Sequence, residues 1–228
     1  FDFNFDEKNC SRKDFNEFMK ELLSEGLLEP FYIKKNSVLP KIFNQQASIT
    51  LKPKSILSSR SFPLPLGEVG EHLQELIRHY CKVDLFEKCT ASIVNPVMAV
   101  RKPGRSFERD KEGKVVNLLK CYRIVMCMEN VNQCTVYDNI KPTDPRDVIN
   151  SLKFKPCINV FDLASAFWQI DLDKTVRKYF AFHIPRVGTV ASTRAVQGAV
   201  NSAQTLKRIL DDIFGDLFLK ISGNWFMD

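Results

Sequence analysis

Residues 158–162, INVFD, make a short apolar run that ends on an aspartate. Such a run predicts a buried strand, and a carboxylate at its tip is costly unless it caps a helix or meets a cation. Asp162 therefore limits the fold more than any other position. A second acid, Asp228, ends the apolar run WFMD. If the two strand-end carboxylates meet, they form an oxygen site for a hard cation such as Mg2+, which binds through one or two carboxylates plus substrate phosphates. Taken singly, each reads first as an N-cap or turn residue, and spacing alone does not bring them together.

The chain has 228 residues, enough for one large domain, or one domain with an extension. With 44% hydrophobic and 26% charged residues it falls outside the disordered, collagenous and disulfide-scaffold classes. No apolar run approaches a membrane span, and the first ten residues, FDFNFDEKNC, do not read as a signal peptide. Both ends read as cuts through a longer polypeptide. Seven cysteines without a CxxC pair suit a reducing compartment. His72, His79, Cys81 and Cys89 match no zinc spacing and read as helix-surface histidines and structural thiols.

Charge is unevenly spread. Residues 1–30 carry four basic against eight acidic residues, whereas residues 101–123 carry eight basic against three acidic. Such a focus suits a polyanion, nucleic acid or a triphosphate, and on charge alone it reads as well as a solvated loop.

Periodicity predicts the elements. Phe15, Phe18, Leu22 and Leu23 mark an amphipathic helix between Ser11 and Glu29, and residues 30–60 are polar and punctuated by proline, an extended arm with a boundary near 57. Val69, Leu73, Leu76, Ile77 and Tyr80 predict a helix over 68–81. SIVNPVMAVRK and YRIVMCM predict a hairpin across the basic loop, and YFAFHIP with GTVASTRAV a second one. Asp144 followed by Pro145 predicts an N-capped helix to about Leu152. A helix is expected from Ser202 to about Phe214, then a strand pair in LFLKISGNWFMD interrupted at Ser222–Asn224.

Four ordered stretches carry a resemblance. VFDLASAFWQIDLDKTVRKYFAFHIP resembles the first-aspartate motif of reverse transcriptases from retroviruses and gypsy-like LTR retroelements. YRIVMCMENVNQCT resembles their fingers strand, with Arg after an aromatic and an Asn-containing turn. VQGAVNSAQTLKRIL resembles the retroviral QG segment that opens a palm helix, and FMD is similar to the start of the YxDD box. Residues 1–57 resemble nothing we can name and read as an arm to an upstream protease. Departures stand at Glu129, Cys127 and Ala203, where the family usually has a basic residue, Asp and Pro, and in a long insert, GRSFERDKEGKVVNLLK.

The resemblance implies an α+β fold: the fingers and partial palm of a right-hand polymerase, with antiparallel sheet and packed helices, over residues 58–228. Fingers fall at about 58–137 and 171–201, and palm at about 138–170 and 202–228. It implies RNA- and DNA-templated DNA synthesis by two-metal phosphoryl transfer to a primer 3′ hydroxyl. Asp162, Asp228 and the Leu163 carbonyl match the ligands of two Mg2+ ions, with Mn2+ as an alternative. The third carboxylate is expected at the position after Asp228. Lys102 and Arg123 match the cations on the incoming triphosphate, Gln197 the residue against the sugar, and Phe167 the aromatic gate under the ribose 2′ position. Ala164 falls beside the nucleotide, and Arg101, Arg105 and Lys120 on the nucleic acid. Singly, Arg123 reads first as a partner of Glu129 or Asp138, Phe167 as a core aromatic, and Gln197 as a turn residue, and it is their joint order that favours the resemblance. Implied partners are an RNA or DNA template with primer, dNTP, and the protease, RNase H and integrase of a Pol polyprotein. The implied location is the cytoplasm or a virus-like particle, with no membrane. A non-catalytic nucleic-acid-binding remnant and a structural polyprotein segment are the alternatives.

Overall fold

A computed structural model describes residues 20, 42, 45–140, 143–153, 163 and 165–221, the last six in backbone only. Three small sheets and five α-helices occur among them. The central antiparallel sheet has the order β2–β7–β6, from β2 (Phe86–Lys88), β6 (Ala181–Ile184) and β7 (Gly188–Ser192). The β6–β7 hairpin matches the sequence expectation, turning through Arg186 in the left-handed region. Strand β2 was not anticipated and places β7 at the sheet centre.

Helix α1 (Glu68–Lys82) follows its apolar period and buries Leu73, Leu76, Ile77 and Tyr80, while Val69, on the same period, stays exposed. Each of the three aliphatic side chains contributes on the order of 2 kcal/mol by leaving water. Tyr80 packs edge-on against Phe86 and Trp168, with ring centroids 5.6 and 5.0 Å away, and burial pushes its phenol up to about 12. Gly70 has no freedom to change, because a Cβ there would run into the Pro65 carbonyl oxygen.

The expected hairpin over the basic loop is β3 (Val97–Arg101) against β4 (Tyr122–Met126), antiparallel, with Val100 opposite Arg123. Short helices α2 (Leu118–Cys121) and α3 (Glu129–Cys134) flank β4, so the Asn-containing turn is helical. Helix α4 (Pro145–Leu152) is capped as predicted, Asp144 accepting from the Arg146 N–H.

Residues 46–60, expected as an arm, run along the body. The parallel pair of β1 (Gln46–Ala47) with β5 (Asp171–Leu172) adds to the expected antiparallel sheet. Leu51 bridges Thr135, and Ser58 bonds Asn130. Of the early helix only Lys20, which is helical, is described, and the INVFD strand lies outside the described residues.

Helix α5 (Ser202–Ile221) corrects one reading, since LFLKI, taken as a strand, is helical to Ile221. A five-residue stretch with four apolar residues carries no decisive period, and Gly215 costs a helix only about 1 kcal/mol, too little to end one already anchored by Leu206, Ile209 and Leu210. Among the described residues no helix is long and apolar enough to cross a membrane.

Candidate active site

Side chains alternate across a strand pair, so opposite and diagonal positions share a face. In the β3–β4 hairpin, Val97, Ala99, Tyr122, Ile124 and Met126 lie on one face, and Met98, Val100, Arg123 and Val125 on the other. Lys102 continues β3, donating its backbone N–H to the Cys121 carbonyl at 2.8 Å. It therefore falls on Arg123's face as a diagonal neighbour. The Lys102 Nζ donates to the Leu119 carbonyl at 3.2 Å, and Arg123 is exposed with no ion-pair partner among the described residues. Asp138, one alternative partner for Arg123, is held by Arg208.

The Gln197–Gly198 turn abuts the end of β4. Gly198 has φ +95°, and a Cβ there would lie 3.8 Å from the Met126 carbonyl oxygen, so backbone conformation rather than space selects glycine. Asn132 of α3 clamps the turn from the other side. Its Nδ2 donates to the Gly198 carbonyl at 2.8 Å, and its Oδ1 accepts from the Val200 N–H at 2.9 Å. Asn201 repeats the device, donating to the Val136 carbonyl and accepting from the Asp138 N–H. Gln197 itself is exposed. The Gln197 turn thus sits at the Met126 end of β4, and the two cations lie towards its Tyr122 end.

Leu163 and Phe167 are half-buried against the core. Ser165 is left-handed (φ 53°) and opens a 3-10 turn, Ala166–Gln169, that carries Phe167 and packs against α5. Asp162, Ala164 and Asp228 lie outside the described residues. Among the described residues no group of three His, Cys, Asp or Glu could hold a metal.

The basic insert folds onto α1. Arg109 pairs with Glu68 at 2.7 Å and Lys114 with Glu75 at 3.1 Å, so part of the charge focus is neutralised. The Arg109 guanidinium holds the Glu68 carboxyl below its ordinary range. Arg101 stacks over Phe107 at 3.9 Å and donates to the Arg105 carbonyl, and Lys120 stands 3.9 Å from Glu108. Phe107 meets His72 edge-on. His72, expected on the helix surface, is buried and 3.3 Å from the Tyr122 hydroxyl, because the insert covers it. Cys81 and Cys89 are half-buried thiols, pushed up by burial.

Sequence reasoning missed Asn132 and Asn201 as positioning groups. Asn132 lay in a stretch already singled out, but its partners are more than sixty residues away. Nothing local signals a bond of that kind.

Comparison with known proteins adds three findings. Residues 86–228 match the family described as reverse transcriptase (RNA-dependent DNA polymerase). The Gag-Pro-Pol polyprotein of Human T-cell leukemia virus 2 is 29% identical over 125 residues, which are 55% of this chain and 8% of that polyprotein. The crystal structure of prototype foamy virus protease–reverse transcriptase, a selenomethionine-labelled CSH mutant, superposes with a TM-score of 0.60 at 16% identity, over 92% of this chain and 26% of that one. The chain thus shares the fold of that protein and spans a small part of either relative's length.

Proposed function

The chain belongs to the reverse transcriptase family, and from that premise we propose that it supplies the fingers and part of the palm of an RNA- and DNA-templated DNA polymerase within a Pol polyprotein. The observation that carries this reading is the shared face of Lys102 and Arg123 on the hairpin whose Met126 end meets the clamped Gln197–Gly198 turn. Two cations on one hairpin face can hold a triphosphate. The glutamine on the clamped turn can pack on the sugar. Phosphoryl transfer depends on such positioning and charge neutralisation.

Asp162, the Leu163 carbonyl and Asp228 are the groups proposed to hold divalent metal. Two carboxylates and a carbonyl are hard oxygen donors, the set that suits Mg2+. When bound, metal neutralises charge at the attacking and leaving oxygens. Phe167 gates the 2′ position, and Ala164 borders the nucleotide. Arg101, Arg105 and Lys120 contact template or primer through phosphates, so binding falls steeply with salt. RNA or DNA template with primer, dNTP, and the protease, RNase H and integrase of the polyprotein are the proposed partners. The proposed setting is the cytoplasm or a virus-like particle.

Steady-state kinetics of Arg123→Ala and Lys102→Ala, in a polymerase that carries this chain, test the reading. Each is expected to raise KM for dNTP with primer-template affinity changed far less. Equal loss of both, or an unchanged KM, returns the two cations to a solvated surface.

A further inference from the structure

Arg194 heads the fully buried side chains of the described structure, at 2% exposure. Its Nη1 stands 3.2 Å from Asp171 Oδ1, an ion pair in which that nitrogen makes no hydrogen bond of good geometry. Asp84 and Arg177 also face it, and Arg177 is taken up by Glu87 at 2.8 Å and by the Leu172 carbonyl.

The pair lies across a very short ladder. Asp171 is opposite Arg194, and two flanking backbone bonds hold the segments together: the Ala195 N–H donates to the Ile170 carbonyl, and the Leu172 N–H to the Thr193 carbonyl, both at 2.8 Å. One segment leads back to Phe167, whose carbonyl accepts from the Ile170 N–H, and the other leads forward to Gln197 and Gly198. A two-residue slip keeps every side chain on its face, yet moves Gln197 by about 7 Å relative to Phe167. Two backbone bonds specify register weakly. A slip also takes the buried guanidinium out of ion-pair distance of Asp171, a costly change for a buried charge.

We propose that Arg194 and Asp171 form a register pin that sets the spacing of Gln197 from Phe167, a positioning pair that touches no nucleotide itself. The proposal rests on the polymerase reading for its consequence and on the ladder alone for its geometry.

The test is the double variant Arg194→Met/Asp171→Leu, compared with Arg194→Met and Arg194→Lys. Apolar replacement of both charges is expected to return Tm towards wild type, while Arg194→Met alone lowers it. Hydrogen exchange of the Ala195 and Leu172 amides in the 228-residue chain is expected to speed up in the double variant and to stay slow in Arg194→Lys, which keeps the charge. In a polymerase carrying the chain, the double variant should raise KM for dNTP on the order of tenfold, with kcat less affected. It should also narrow the preference for dNTP over rNTP.

Wild-type amide protection and wild-type KM in the double variant overturn the pin and leave a plain core contact. Fast exchange in Arg194→Lys overturns it too, and that variant decides the matter if the double one does not fold. A wild-type protein that does not polymerise refutes the function but not the pin, which the amide exchange still reads.

Discussion

Truncating Asn132 to alanine removes two bonds at once, and the structure allows their loss to be apportioned. The bond to the Gly198 carbonyl (2.8 Å) faces solvent, so water replaces part of it, whereas the bond from the Val200 N–H (2.9 Å) is partly buried. At about 0.5 and 1–1.5 kcal/mol respectively, the expected cost is about 1.5–2 kcal/mol. For a domain of this size that lowers Tm by about 3–8 °C. Asn130, two positions earlier, is the internal control. It makes a comparable set of bonds to Ser58, but all are exposed, and Asn130→Ala should cost under about 0.5 kcal/mol. Urea unfolding of the two variants, read as a change in midpoint at constant slope, gives the comparison. In a polymerase carrying the chain, Asn132→Ala should also raise KM for dNTP, because it frees the Gln197 turn. If the two alanine variants lose equal stability, or Asn132→Ala leaves both midpoint and KM unchanged, the clamp does not hold the turn.

Gly70→Ala should cost about 1–3 kcal/mol by overpacking against the Pro65 carbonyl, read by urea unfolding. Gly198→Ala should destabilise through its positive φ alone, by about 1–2 kcal/mol, and larger residues should cost little more, since the site is roomy. Asp144 is held below its ordinary 3.8 by Arg146, so its capping contribution is present above that pH and is lost as pH falls through the lower folded value. The Tm deficit of Asp144→Asn should accordingly be largest near neutrality and vanish in acid. Phe167→Val should raise rNTP use relative to dNTP if the ring is a gate, and lower both rates together with Tm if it is only core.

Local pattern was enough wherever one element decided its own structure. The period of Leu73, Leu76, Ile77 and Tyr80 delivered α1, Asp144–Pro145 delivered the capped start of α4, and alternation delivered both hairpins. The misreadings were tertiary. LFLKI is ambiguous by period and follows the helix that already packs before it. His72 is buried because an insert more than thirty residues downstream covers it. Within the candidate site, Lys102, Arg123 and Gln197 were legible only as candidates, through resemblance, and register puts the two cations on one face. Asn132 and Arg194 were not, since each acts through a partner that only the fold brings near.

The most direct measurement is the rate of dNTP incorporation on a primed RNA template in Mg2+, for a polymerase that carries this chain, with and without Asp162→Asn. Asn keeps the side-chain shape and loses the charge that recruits metal. The account predicts incorporation by the parent and a loss well beyond tenfold in the variant, with primer-template binding nearly unchanged, because binding rests on the basic surface. Retention of more than about a tenth of the rate, a barrier change under about 1.4 kcal/mol, would contradict it.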